Sequence, residues 1–171
     1  MLKRRVVYMP MLLLAVSCNS GSAGQTQDAM NTTTEHVMDT EALQRFGADY
    51  TAAWSSGQPD RVASFFAPDG SLTVNKGTPA IGAEAIAKVA EGFMTALPDM
   101  VLHMDSLMTG TDGPSYHWTL IGTNTGPSGT GNKVRISGVE RWTMSAEGRV
   151  QISDGSFDAA EYDRQIANGV Q

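Results

Sequence analysis

Two acidic residues, Glu140 and Asp154, are the side chains in this sequence best placed to exchange protons with a bound molecule. Alternate residues of a β-strand face opposite sides of a sheet, so Glu140 in "VRISGVERW" shares a face with Ile136 and Trp142. By the same alternation, Asp154 in "RVQISDGSF" shares a face with Ile152. The turn "SAEG" joins the two strands, and a hairpin that keeps both apolar faces together sets the acids directly or diagonally opposite. A buried pair of this kind should hold a proton near neutral pH, which suits a general acid or base. We therefore predict that Glu140 and Asp154 are catalytic.

Two other arrangements would take the acids out of such a site. Either acid could be neutralised by an arginine at position 135, 141 or 149. A β-bulge at Gly138 or Gly155 could instead turn one carboxylate outward. The sequence leaves these arrangements open.

A third stretch, "YHWTLIGTNTG" at 116–126, carries large rings on one face of a strand that then narrows to glycine and ends in an amide. Apolar walls with a few convergent polar groups are typical of a small-molecule site, and Gly122 and Gly138 would give such a site room. Asn124 would be a polar anchor, although an amide next to glycine equally suits the capping of a turn. The rings could also be ordinary core. The predicted ligand-binding residues are Tyr50, Trp54, Phe65, Met104, Trp118, Asn124 and Trp142.

The histidines are not arranged for a metal site. The three histidines of the chain lack the H-x-H or H-E-x-x-H spacing of metal ligands, and we predict neither metal nor cofactor. His117 falls on the face opposite Trp118 and should point away from the cavity.

The elements that must position these residues are helices followed by strands. Apolar residues recur at helical spacing after a cap at Asp39 or Thr40, a second short helix starts at Pro59, and a third ends before Pro98. "APDG" at 67–70 is predicted as a turn, "SLTVN" at 71–75 as a strand, and 159–169 as a short closing helix. Helices that precede a run of turn-linked strands predict an α+β fold, with helices packed on one face of an antiparallel sheet.

The N-terminus is typical of an exported protein. Lys3, Arg4 and Arg5 precede a short apolar run that ends at Cys18, the only cysteine, in a lipobox-like "LAVSC". We predict a signal peptide at 1–17, a lipidated Cys18 opening a flexible linker at 18–36, and a folded domain at 37–171. The location implied is the cell envelope, at the outer membrane if the organism has one. An ordinary cleaved signal with a leftover thiol is the alternative.

Several stretches resemble one known family. "YTAAWSSGQPDRVASFFAPDGSLTV", "GTPAIGAEAIAKVAEGFMTALPDM" and "YHWTLIGTNTGPSGTGNKVRISG" resemble the SnoaL-like polyketide cyclases of the nuclear transport factor two-like superfamily. The resemblance implies a cone-shaped α+β fold with three N-terminal helices packed on a curved, mostly antiparallel sheet that encloses a pocket. It also implies that the ambiguous "DMVLHMDSLMTG" is a strand, with four apolar residues facing inward: Met100, Leu102, Met104 and Met108.

The resemblance leaves three functions open. Family cyclases use a histidine where this chain has Asn124. Because an amide cannot carry a proton at neutral pH, the difference disfavours the acid–base chemistry of the family. The leading prediction is therefore a membrane-anchored domain that binds a small apolar or polycyclic molecule. The first alternative is an acid–base cyclase or isomerase without metal, and the second is a dimeric envelope interaction module without a ligand. The formal net charge of −6 disfavours nucleic acid as a partner, and we expect a homodimer.

Overall fold

The computed structural model describes residues 39–171, and this part of the chain forms four helices and six strands. The helices are α1 (Thr40–Trp54), α2 (Pro59–Ala63), α3 (Gly82–Ala96) and α4 (Ala159–Asn168). The strands are β1 (Phe66–Val74), β2 (Ala80–Ile81), β3 (Val101–Gly110), β4 (Gly113–Thr123), β5 (Lys133–Met144) and β6 (Val150–Phe157). The predicted signal peptide, the lipidated Cys18 and the linker at 18–36 lie outside the described residues. Within 39–171, no helix is both long and apolar enough to cross a membrane.

The helices begin at the expected residues. The Asp39 side chain accepts a hydrogen bond from the Ala42 N–H (2.7 Å) and caps α1, while Pro59 occupies the first turn of α2. The buried residues of α1 and α3 form one stripe on each helix, and both stripes pack on the sheet: Leu43, Tyr50, Ala53 and Trp54 of α1, and Ile86, Ala90 and Met94 of α3.

The six strands form one curved sheet in the order β2-β1-β6-β5-β4-β3. Every neighbouring pair is antiparallel except β1 and β6, which run parallel. In β4 and β5 the inward residues are the even-numbered ones, as the alternation predicts, and His117 faces outward as expected. The predicted α+β cone fold is confirmed, and the short closing helix predicted at 159–169 is present as α4.

The "APDG" segment is not a turn between elements, as the sequence predicted. Residues 67–70 belong to β1, where the chain advances from Phe66 to Ser71 while its partner β6 advances only from Val150 to Ile152. The extra residues form an irregular bulge inside the strand, which accommodates the proline and glycine without ending it.

The Met-rich segment is a strand, as the resemblance implies, but its inward face changes part-way. Met104 pairs with Trp118, and the next pair joins Ser106 to His117, so Asp105 is an extra residue in β3. Beyond this bulge the odd-numbered Leu107 is buried and Met108 is 53% exposed. The prediction that Met108 faces inward is therefore wrong.

Candidate functional site

A cavity lies between the inner face of the sheet and helices α1 and α3. The cavity and its open mouth together comprise about 440 Å³ of empty space, and the enclosed part has room for only a few water molecules. Its walls are mainly apolar side chains from six elements: Trp54, Leu72, Val74, Phe93, Leu102, Trp118, Leu120 and Phe157. Glu140, Gly155 and Ser156 complete the lining. The Tyr162 ring of α4 packs on Phe93 and Phe157, so this last helix adjoins the same wall.

Glu140 is the one carboxyl of the lining, and its two oxygens are in different environments. Its Oε2 accepts hydrogen bonds from the Tyr50 hydroxyl (3.0 Å), the Trp142 indole N–H (3.0 Å) and the Ser153 hydroxyl (2.7 Å). None of the donors in residues 39–171 bonds to Oε1. Glu140 is 5% exposed and belongs to none of the ion pairs in the described part. One oxygen is thus fixed by the protein, and the other is free to bond with a molecule in the cavity.

Burial controls the ionisation of this cluster. Loss of solvation raises the pKa of the Glu140 carboxyl, and the bonds from Trp142, Ser153 and Tyr50 offset only part of that effect. The pKa of Tyr50 is raised well above its ordinary value by burial and then by the nearby Glu140 carboxyl. The phenol therefore stays a donor. Because Oε2 accepts all three bonds, the Oε1 position is where a proton on the carboxyl would sit and from which it would be donated.

Asp154 does not join this cluster, and the prediction that it faces the interior is wrong. Met144 pairs with Val150, but the next residue of β5, Thr143, pairs with Ile152, so β6 carries one extra residue at Gln151. Beyond this bulge the odd-numbered residues of β6 face inward instead of the even-numbered ones, and Ser153 lies opposite Trp142. Asp154 is exposed and stands opposite Arg141 on the outer face.

The bulge that removes Asp154 brings in a group that the alternation did not predict. Ser153 is fully buried and donates the shortest of the three bonds to Glu140. Gly155 pairs with Glu140 and adjoins its side chain, and a Cβ there would reach ordinary contact distance, 3.5 Å, from the Glu140 Cγ.

A SnoaL-like domain model matches residues 48–152, more than half of the chain. The chain belongs to the SnoaL-like domain family. The match includes Glu140, Trp54 and Trp118, and it ends just before Ser153.

Solved structures share the fold of this SnoaL-like domain at low sequence identity. One is a protein with a ketosteroid isomerase-like fold from Catenulispora acidiphila DSM 44928, in complex with trimethylamine (12% identity, TM-score 0.63, 71% of this chain and 92% of that chain). Another is the epoxide hydrolase/cyclase-like enzyme SalBIII of salinomycin pyran ring formation (17%, 0.62, 72% and 96%). A third is a candidate SnoaL-like polyketide cyclase from Jannaschia sp. CCS1 (14%, 0.59, 74% and 94%). No curated protein sequence matches the chain. At these identities the likeness shows the fold alone.

Only some of the predicted site residues line the cavity of this SnoaL-like domain. Trp54, Trp118 and Glu140 do. Tyr50 and Trp142 lie behind Glu140 and act on it through hydrogen bonds, and Phe65 packs edge-on against Tyr50. Met104 packs against α1, where a Cβ on Gly47 would come within 2.9 Å of its sulfur.

Asn124 is a structural amide outside the cavity lining. Its Nδ2 donates to the Ala96 carbonyl (2.9 Å), and its Oδ1 accepts from the Thr130 N–H (2.9 Å) and hydroxyl (3.2 Å). These bonds tie the loop after β4 to the end of α3. The turn-capping alternative describes this residue, and a ligand-anchoring role does not.

The two glycines of the inner face also differ. Gly138 gives room for the wall, since a Cβ there would stand 2.4 Å from the Trp118 ring. Gly122 instead permits close packing of β4 on the end of α3, where a Cβ would stand 3.2 Å from the Leu97 Cβ.

The lining residues that were not predicted fall into two groups. Leu102, Leu120 and Phe93 had a sequence signal, because each belongs to a periodic apolar face of its element. Phe157 depends on the bulge at Gln151, which turns the odd-numbered residues of β6 inward and for which the sequence gave no sign. In residues 39–171, no three His, Cys, Asp or Glu side chains come together as a metal site.

Proposed function

We propose that this SnoaL-like domain binds a small, largely apolar molecule in the cavity, with Glu140 as the polar anchor. The observation that supports this proposal most is a buried carboxyl with one uncommitted oxygen at the wall of an apolar cavity. A group of this kind is costly to bury unless something bonds to it, and a bound molecule would supply that bond. The limited enclosed space favours a single ring or a short chain.

Native mass spectrometry of protein purified without added ligand tests this proposal first, since it detects a molecule that co-purifies. Ligand-observed NMR with a library of single-ring compounds follows. Val74→Phe, which fills the cavity from β1, should abolish the binding that wild type shows. Ile152→Phe changes a 41%-exposed residue on the outer face of the sheet and is the matched control. Absence of any bound compound from wild type, or equal binding by Val74→Phe, would overturn the proposal.

The proposal includes export and anchoring through Cys18, which the N-terminal sequence alone supports. Radiolabelled palmitate fed to expressing cells should be incorporated into wild type and not into Cys18→Ala. Equal labelling, or no labelling of wild type, would contradict the lipid anchor.

The same carboxyl favours a second candidate, an acid–base enzyme of the cyclase or isomerase type. A carboxyl with a raised pKa and a free oxygen can take a proton from a carbon next to a carbonyl and return it elsewhere. The Asp154 partner that the sequence suggested lies on the outer face, so this chemistry would depend on one carboxyl alone.

The assay for this candidate is exchange of the methyl hydrogens of acetophenone for deuterium in D₂O. Catalysis by Glu140 predicts exchange that wild type accelerates and Glu140→Gln does not, while Asp154→Asn behaves as wild type. Exchange at the buffer rate with wild type removes this candidate.

A further inference from the structure

Two hydrogen-bond donors in the cavity wall have no partner in the protein. The indole N–H groups of Trp54 and Trp118 are buried, and neither makes a hydrogen bond within residues 39–171. Both residues line the cavity, with 6% and 8% of their surfaces exposed. Buried N–H groups in folded proteins are nearly always paired, so an unpaired one at a cavity wall indicates a missing partner.

The third tryptophan of the chain shows the ordinary arrangement. Trp142 is also buried, with 1% of its surface exposed, lies behind the cavity and donates its N–H to Glu140 Oε2 at 3.0 Å. The difference between Trp142 and Trp118 is therefore one of position, since the residue that carries the unpaired donor lines the cavity.

Trp118 is the clearer of the two unpaired donors. The Trp54 indole lies near enough to the Tyr50 hydroxyl to oppose part of the rise in the pKa of Tyr50, although the two groups do not meet the distance and angle of a hydrogen bond. Trp118 has no such neighbour. Its ring is fixed over Gly138 and packs on Phe157, with ring centroids 6.1 Å apart.

The charges of the lining limit what can bind there. The lining includes no Lys, Arg or His in the described part of the chain, and its one carboxyl has a free oxygen. An anion would thus enter a poorly solvated space with no cation to pair with, in a protein with a formal net charge of −6. A neutral molecule avoids this cost.

We infer that the Trp118 indole N–H is a ligand-binding donor, and that the cavity selects neutral, flat molecules with a hydrogen-bond acceptor such as a carbonyl oxygen. A hydrocarbon of the same shape would leave the donor unpaired, and an anion would be buried without a counter-charge. This inference rests on the proposed small-molecule binding and adds the chemical class of the ligand.

Three probes of nearly the same shape separate the effect of a hydrogen-bond acceptor from the effect of a negative charge. Acetophenone carries a carbonyl oxygen, α-methylstyrene has a CH₂ group in its place, and benzoate replaces the methyl group of acetophenone with an anionic oxygen. One hydrogen bond should make acetophenone bind about three- to tenfold more tightly than α-methylstyrene. Benzoate should bind more weakly than either.

Indole NMR locates the bond directly. The chain has three tryptophans, so ¹⁵N-labelled protein gives three indole signals. Acetophenone should move the Trp118 proton signal downfield and leave the Trp142 signal nearly in place, while α-methylstyrene should move neither downfield. Trp118→Phe keeps a ring and removes the donor, so its preference for acetophenone over α-methylstyrene should be smaller than that of wild type. Ile152→Phe, on the outer face, should keep the preference.

The outcomes separate the inference from the function on which it rests. If acetophenone and α-methylstyrene bind wild type equally, or if the Trp118 signal does not move with acetophenone, the inference is overturned and small-molecule binding stands. If benzoate binds best, selection for neutral molecules is wrong. If none of the three binds wild type, both the inference and the proposed single-ring binding fail. The NMR measurement uses wild type and does not depend on the folding of Trp118→Phe.

Discussion

Replacing Glu140 with glutamine should make the stability of this domain less sensitive to pH. The amide has the shape of a protonated carboxyl. Its oxygen can accept the three bonds from Tyr50, Trp142 and Ser153, and its NH₂ group can replace the free Oε1. The variant therefore keeps the packing and the hydrogen bonds while removing one titrating group.

The direction in which stability changes with pH follows from the pKa of Glu140, which is raised in the folded state mainly by burial. Above the unfolded-state pKa of glutamate, about 4.3, the native state keeps a proton that the unfolded state has released. The stability that this proton provides is fully present below about pH 4.3 and is lost as pH rises through the folded-state pKa. One proton changes the free energy of unfolding by about 1.4 kcal/mol per pH unit in that window.

Urea unfolding of wild type and Glu140→Gln at half-unit steps from pH 4 to pH 8 measures this effect. The difference in the free energy of unfolding between the two proteins cancels the contributions of the other carboxylates, which both proteins share. The variant should be within about 1 kcal/mol of wild type at pH 4 and should gain on it with a slope approaching about 1.4 kcal/mol per pH unit above that. Asp154→Asn, at the exposed outer position, should stay within about 0.5 kcal/mol of wild type at a given pH. A flat difference for Glu140→Gln, or a variant that loses stability as pH rises, would refute the reasoning.

Two further substitutions test the packing around the site, both by urea unfolding. Gly138→Ala should cost about 1–3 kcal/mol and disturb the indole signal of Trp118, because the new Cβ would stand 2.4 Å from that ring. Gly92→Ala, in an open position of α3, should instead be stabilising by up to about 1 kcal/mol. Equal effects of Gly138→Ala and Gly92→Ala would contradict the close contact between position 138 and the Trp118 ring. Asn124→Ala should cost about 1–3 kcal/mol, because it leaves the Thr130 N–H unpaired and removes the shorter of the two hydrogen bonds to the Ala96 carbonyl. A loss below about 0.5 kcal/mol would show that the loop does not depend on this amide.

The fold was largely predictable because strong local signals agree. Helix caps, apolar stripes and turn residues identify the helices, and residue alternation identifies the inward faces of β4 and β5. Trp118 and Glu140 were placed correctly on that basis, since β4 and β5 pair without interruption from Ser115 to Thr123.

The rest of the site depends on β-bulges, which the alternation of residues along a strand does not predict. One extra residue at Gln151 turns Asp154 outward and brings Ser153 to Glu140, and a similar extra residue at Asp105 exposes Met108. A β-bulge reverses the parity of everything beyond it, and the residues at these bulges have no distinctive type. Hydrogen bonds over long sequence separations, such as that between Tyr50 and Glu140, also leave no local pattern.

The most direct test of this account is a ¹³C NMR titration of the Glu140 carboxyl, assigned by its loss in Glu140→Gln, without and with saturating acetophenone. We expect a midpoint above the ordinary glutamate value of about 4.3 in the free protein, and a further rise when acetophenone binds to the protonated carboxyl. A Glu140 midpoint at or below that ordinary value, unchanged by the ketone, would contradict a protonated anchor facing a ligand cavity.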